Sequence, residues 1–181
     1  MWPNGKLIPA LMARPVKDLL KIEGRTRACL ADAKFLMVEE TGVGGKFPFS
    51  GEKLSLVLTL YRVKDFDHAF DTVREIYAHQ GAGHSVGIHT ADDANVMRLG
   101  LEMPAARVIV NQAHAIANGG SFDNGLPFSL SMGCGTWGRN SISENMNYRH
   151  YLNTTRIVRT IPARTPTTGD IFGEYHAKRG K

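Results

Sequence analysis

Four side chains in this sequence are of types that do chemistry and sit where a loop meets an apolar run: Glu52, His84, His89 and Cys134. His84 and His89 bracket the apolar core of "GHSVGIHT", and two histidines five apart suggest a metal pair. On a strand an odd separation turns the two rings to opposite faces, so one ion cannot easily use both and no metal site is expected. His84 then has two readings, a base at the mouth of a strand or a turn residue whose polar atoms are already satisfied. Glu52, in "SGEKLS", is a free carboxylate for a ligand or a loop cap. Cys134 sits between two glycines like an exposed nucleophile. A reactive thiol needs a cation or a helix amino terminus beside it, and the helix-like "NSISENMNYRHYL" starts a few residues on. No histidine or carboxylate is close in sequence, so a close-packed structural role stands beside that reading. Cys29, in "TRACLADAKF", has less to recommend it.

The glycine clusters are turns. "TGVGGKF" has Glu40 where a phosphate loop needs glycine and Phe47 where it needs Ser or Thr. "GAGHSVG" has Val86 at the third glycine of a dinucleotide fingerprint, and a strand follows where that fingerprint demands a helix.

The elements that must position these groups follow from hydrophobic period. "FLMVEE" (35–40) and "LVLTLYRV" (56–63) are near-continuous apolar runs of strand length, the pattern of strands covered on both faces. "DFDHAFDTVREIYAHQ" carries Phe66, Ala69, Phe70, Val73, Ile76 and Tyr77 at helical spacing, with Asp65 as its cap. "SVGIHT" is a strand, "ADDANVMRLGLEM" a helix and "RVIVNQ" (107–112) a third core strand. This alternation implies an α/β fold with a parallel sheet and right-handed crossovers. Glu52 and His84 each lie just ahead of a strand, and strands joined by one helix start at the same sheet edge, so the two should converge. After Gln112 comes a long Gly, Ser and Asn-rich segment, of a length usually functional or shaped by a partner. The run "TTRIVRTIP" alternates like an edge or interface strand, and the remainder reads as an extended tail.

A chain of 181 residues, 43% apolar, suffices for a domain with a real core. Its apolar runs fall short of the ~20 residues of a membrane span, and its first residues lack a secretory leader, so a cytoplasmic protein with no membrane partner is expected. Two cysteines suit a reducing compartment. The net charge of +5 is spread without aromatic-basic stripes, which argues for anionic ligands such as phosphorylated cofactors and against nucleic acid.

"FSGEKLSLVLTLYRVKDFDHAF", "GAGHS", "ARVIVNQ" and above all "LPFSLSMGCGTWGRNSISENMNYRHYLNTTRIV" resemble, in order from about Lys34 to Val158, the carboxyl-terminal part of the coenzyme-A-acylating aldehyde dehydrogenases. The glycine-cysteine-glycine turn followed by Trp137, Gly138, Asn140, Ser141, Ser143, Glu144 and Asn145 is the specific signature. The resemblance implies half of a catalytic domain, a three-layer parallel sheet with helices on both faces (1–153), followed by an oligomerisation strand and tail (154–181). It implies a chemistry in which a cysteine thiolate adds to a small aldehyde, hydride leaves to NAD or NADP, and the thioester passes to coenzyme A as co-substrate. It assigns Glu52 to the nicotinamide ribose and His84 to the proton of the incoming thiol, leaving His89 a bystander.

Leu56 stands where relatives have proline, and Arg139 where many have a second glycine. The family's nucleophile and dinucleotide-binding domain precede the matched region, so the chain reads as the last third of an enzyme. It is expected to be inactive alone and to need a missing N-terminal domain or homo-oligomer partner. The ending "TRIVRTIP…GDIFGEYHAKRGK" resembles the sulfoacetaldehyde branch of the family, and Arg139 then has two readings, a guanidinium that pairs with the substrate's sulfonate or one that faces solvent. Two other classes remain open: a non-catalytic module that binds a complete subunit or nucleotide, and an unrelated thiol enzyme built on Cys134.

Overall fold

The computed structural model describes residues 8–22, 24 and 28–180. Residues 1–7, which open the segment read above for a secretory leader, lie outside them. The elements, in order, are α1 (Val16–Ile22), β1 (Leu36–Glu39), β2 (Val57–Leu60), α2 (Phe66–Gln80), β3 (Val86–Ile88), α3 (Asp93–Glu102), β4 (Val108–Val110), α4 (His114–Ala117) and α5 (Thr168–Arg179). Contacts divide the chain into two units, Met1–His150 and Tyr151–Lys181.

The first unit is α/β, and its strand pairs are parallel. β1 pairs with β2, Leu36 opposite Val57, and β3 pairs with β4, Val86 opposite Val108. Among the described residues no ladder joins β2 to β3, so the parallel sheet consists of two two-stranded halves. Helix α2 connects them, and its termini are set by local chemistry. The Asp65 carboxylate accepts from the His68 N–H at 2.8 Å, and Gly81, at φ 109°, closes the carboxyl end. Its apolar stripe packs Phe66, Phe70, Val73 and Tyr77 against Val86, Leu99 and Met103. Phe70 is 2% exposed, and burying such a ring stabilises by roughly 1.5–3 kcal/mol. Arg98 of α3 crosses this contact, pairing with Asp67 and lying 4.6 Å from the Phe70 ring centroid.

Parity organises the β1–β2 half. Leu36, Val38 and Val57 pack against Leu11 and Leu19, while Met37 and Leu58 on the opposite face are 54% and 53% exposed. The apolar runs thus have one face covered and the other open within this chain.

Two readings of the carboxyl-terminal region are corrected. "NSISENMNYRHYL" forms no α-helix. Residues 142–146 instead run antiparallel to 131–135, with Met132 bridged to Asn145, followed by a 3-10 turn over Tyr148–Tyr151. The buried Asn145 side chain bonds backbone carbonyls of other loops, an arrangement no exposed helix face would supply. The end of the chain, read as extended, is helix α5. Thr167 and Asp170 form a reciprocal capping box, and Gly180 ends the helix in the left-handed region. "TTRIVRTIP" has no ladder partner among the described residues and carries no strand.

Candidate active site

His84 stands two residues before β3, at the end of the turn that follows α2. Its position is fixed through its backbone: Arg107 Nη1 donates to the His84 carbonyl at 2.9 Å, and the Tyr77 hydroxyl donates to the Ser85 carbonyl at 2.5 Å. Burial pushes the Tyr77 hydroxyl up to about 12, which keeps it a donor. The preceding Gly83, at φ 108°, is obligatory, because a Cβ there would lie 2.3 Å from the Cys134 carbonyl oxygen and 2.8 Å from the Gly138 nitrogen.

The exposed His84 ring turns Nδ1 to the Ser85 Oγ at 2.7 Å, and no described residue bonds its Nε2. Burial, then the Arg107 charge, holds its pKa below the usual histidine value, while Glu52 pulls the other way. Ser85 Oγ also meets His114 Nε2 at 2.9 Å and receives the Asn118 Nδ2 donor at 3.1 Å. His114 opens α4, and burial, with the neighbouring His84, lowers its pKa too.

Glu52 lies on the loop before β2, where Lys53 holds the backbone in place. The Lys53 ammonium donates to the Phe49 and Gly51 carbonyls and to Thr59 Oγ1, each at 2.8 Å, so its three protons face inward. The Glu52 N–H donates to Gln80 Oε1, at the end of α2, at 3.0 Å. Its carboxylate is exposed and makes no hydrogen bond or ion pair with a described residue. It lines a cleft of about 500 Å³ with Lys53, Thr59, Tyr61, Tyr77 and Gln80. His84 is not among the lining residues, and the two groups meet through their electrostatic influence on one another. His89 is exposed beyond the end of β3.

The glycine-cysteine-glycine turn is the floor under His84. Arg107, 6% exposed, donates to Asn145 Oδ1, to the Gly133 carbonyl and to the His84 carbonyl. Asn145, 1% exposed, completes the junction by donating to the carbonyls of Asn118 and Pro127. Cys134 is wedged between glycines: its Cβ lies 2.3 Å from where a Cβ on Gly138 would stand. That packing favours the structural role over an attacking thiol. Arg139 is exposed and left-handed at φ 58°.

No protein-family model matches the chain. The acylating sulfoacetaldehyde dehydrogenase of Cupriavidus necator is 51% identical over 181 residues, all of this chain and 37% of that protein. The Bilophila wadsworthia acylating sulfoacetaldehyde dehydrogenase is 36% identical over 188 residues, again the whole chain and 40% of its relative. In structure, an acetylating aldehyde dehydrogenase from Geobacillus thermoglucosidasius superposes with a TM-score of 0.78 at 32% identity, covering 90% of this chain and 36% of that one. By sequence and by fold, this chain is similar to one part of these acylating aldehyde dehydrogenases. It spans between 37% and 40% of the length of these two curated relatives. The residues that carry the acylating-dehydrogenase signature, from Gly133 to Asn145, are the ones that build the floor beneath His84. Sequence reasoning missed Ser85, Arg107, His114 and Asn118 as members of the site. Nothing in the sequence signalled His114; the structure alone shows that Gly87 makes room for it, since a Cβ there would lie 2.4 Å from His114 Nδ1.

Proposed function

We propose that this chain supplies the proton-handling and ribose-binding part of a CoA-acylating aldehyde dehydrogenase, which turns an aldehyde, coenzyme A and NAD(P)+ into acyl-CoA and NAD(P)H. The observation that carries this reading is the His84 ring itself, anchored at Nδ1, open at Nε2, and under the influence of an unpaired carboxylate at Glu52. Held below the usual value, the imidazole is neutral near pH 7 and takes the proton of the incoming thiol at Nε2. Residues 1–153 are the catalytic part in this reading and 154–181 the oligomerising segment.

Glu52 fits a ribose diol. A carboxylate with free lone pairs in an open cleft accepts two hydroxyl hydrogen bonds. The nicotinamide, when bound, supplies the hydride acceptor. Neither cysteine is assigned as nucleophile, so the attacking thiol and the rest of the nucleotide site belong to polypeptide supplied in addition to these residues, as an N-terminal domain or a partner subunit. The substrate class is a small aldehyde, and the sulfonate-bearing sulfoacetaldehyde is favoured by the 51% identity to a dehydrogenase of that name. We place the reaction in the cytoplasm; no helix among the described residues is long and apolar enough to cross a membrane.

The test is a chimera. The matching region of the Cupriavidus necator protein is replaced by this chain, and CoA-dependent NAD(P)+ reduction is followed with sulfoacetaldehyde. Turnover is expected. A chimera that folds and binds nucleotide yet forms no acyl-CoA from any small aldehyde sinks the proposal.

A further inference from the structure

A serine hydroxyl has one proton to give and two lone pairs to receive with. Ser85 Oγ has three partners: Asn118 Nδ2 at 3.1 Å, His84 Nδ1 at 2.7 Å and His114 Nε2 at 2.9 Å. The Asn118 amide occupies one lone pair. Of the two imidazoles, one must therefore donate to the hydroxyl and the other accept its proton. The two rings cannot choose their tautomers independently.

We propose that Ser85 and His114 form a proton relay behind His84, with His114 as its terminal acceptor. The functional part of this inference rests on the reading of His84 as the base; the coupling of the rings does not. In the working arrangement His84 carries its proton on Nδ1 and donates it to Ser85, which donates to His114 Nε2, leaving the His84 Nε2 lone pair open to solvent. When Nε2 takes the proton of a thiol, the Nδ1 proton passes to Ser85 Oγ and the Ser85 proton to His114 Nε2. One proton enters, one moves across each link, the thiol becomes a thiolate, and the positive charge ends on His114. His114 is thus a positioning residue that acts through Ser85.

Three features of the structure hold the relay in register. Gly87 admits the His114 ring, since a Cβ at that position would stand 2.4 Å from Nδ1. Tyr77 and Arg107 clamp the carbonyls of Ser85 and His84. Asn118, 5% exposed, has its Oδ1 buried without a partner, so its amide is committed to Ser85 through nitrogen alone. The charged and titratable groups that act on the relay are Arg107 and Glu52, with Tyr77 bonded to the Ser85 carbonyl. Of these, Arg107 opposes a proton on His84 and Glu52 favours it.

The test is nitrogen-15 NMR of the histidine rings in this chain, read across pH. In the neutral protein both rings are expected to carry their proton on Nδ1, and protonation of His84 is expected to move the His114 Nε2 resonance in step. Ser85→Ala and Gly87→Ala are each expected to abolish that correlation, and Ser85→Thr, which keeps a hydroxyl, to restore it. If Ser85→Ala fails to fold, Gly87→Ala carries the same comparison. Unlike tautomers on the two rings, or a proton on Nε2 of both, overturn the relay; so does a His84 spectrum unchanged by Ser85→Ala or Gly87→Ala. An intact correlation in this chain beside an inactive chimera would remove the dehydrogenase reading and leave the relay standing.

Discussion

Asn145 shows how one residue holds the site's floor. Its side chain joins Arg107 to two loop carbonyls, and truncation leaves those buried groups without partners. Asn145→Ala is expected to lower stability by about 3 kcal/mol, read as a fall in the urea midpoint. The histidines make a second prediction. Burial holds His84 and His114 below the usual value, so the unfolded chain binds more protons than the folded one once the pH drops below about 6.5. Their contribution is therefore full above that pH and is lost as the pH falls through the lowered folded values. The urea midpoint should fall between pH 7.5 and pH 5 by less in His114→Gln than in the parent chain; an equal fall would contradict the assignment. His84 and Glu52 stood out as candidates because each precedes an apolar run and sits in a motif. His114 was not, because its partner Ser85 is 29 positions away and nothing local in "NQAHAIAN" marks it.

At the level of elements, period made α2, α3 and the four strands readable, with the Asp65 cap as a second signal for α2. Asp65 and Asp92 both accept from the backbone as cap chemistry demands. The segment after Gln112 was unreadable for the opposite reason. Its backbone is satisfied by side chains such as Asn124, Asn140 and Asn145 at irregular separations, which leave no periodic trace. Helix α5 had a local signal in Thr167 and Asp170, but its weak apolar stripe hid it. No residue of α5 is buried, so its stability rests on its own caps and pairs such as Glu174 with Lys178. Thr167→Ala is expected to cost about 1 kcal/mol of helix stability and to speed amide exchange over 168–179 without changing exchange in α2.

For the whole molecule, the half-exposed Phe35, Met37, Leu56 and Leu58 along β1 and β2 make an open apolar surface. The isolated chain is expected to bind a hydrophobic dye such as ANS and to show no aldehyde-dependent NAD(P)+ reduction. Measurable turnover by the chain alone would contradict the division of labour proposed for it. The α/β class and the family correspondence were visible in the residues, whereas the open sheet face required the three-dimensional structure, since apolar runs look alike whether or not this chain covers them. The most direct measurement is single-turnover kinetics of the Cupriavidus necator chimera with and without His84→Asn. The variant is expected to keep the first burst of NAD(P)H while CoA-dependent turnover falls by about 10²–10⁴-fold, the usual worth of a general base. Turnover within a factor of two of the parent chimera would show that His84 does not handle the thiol proton.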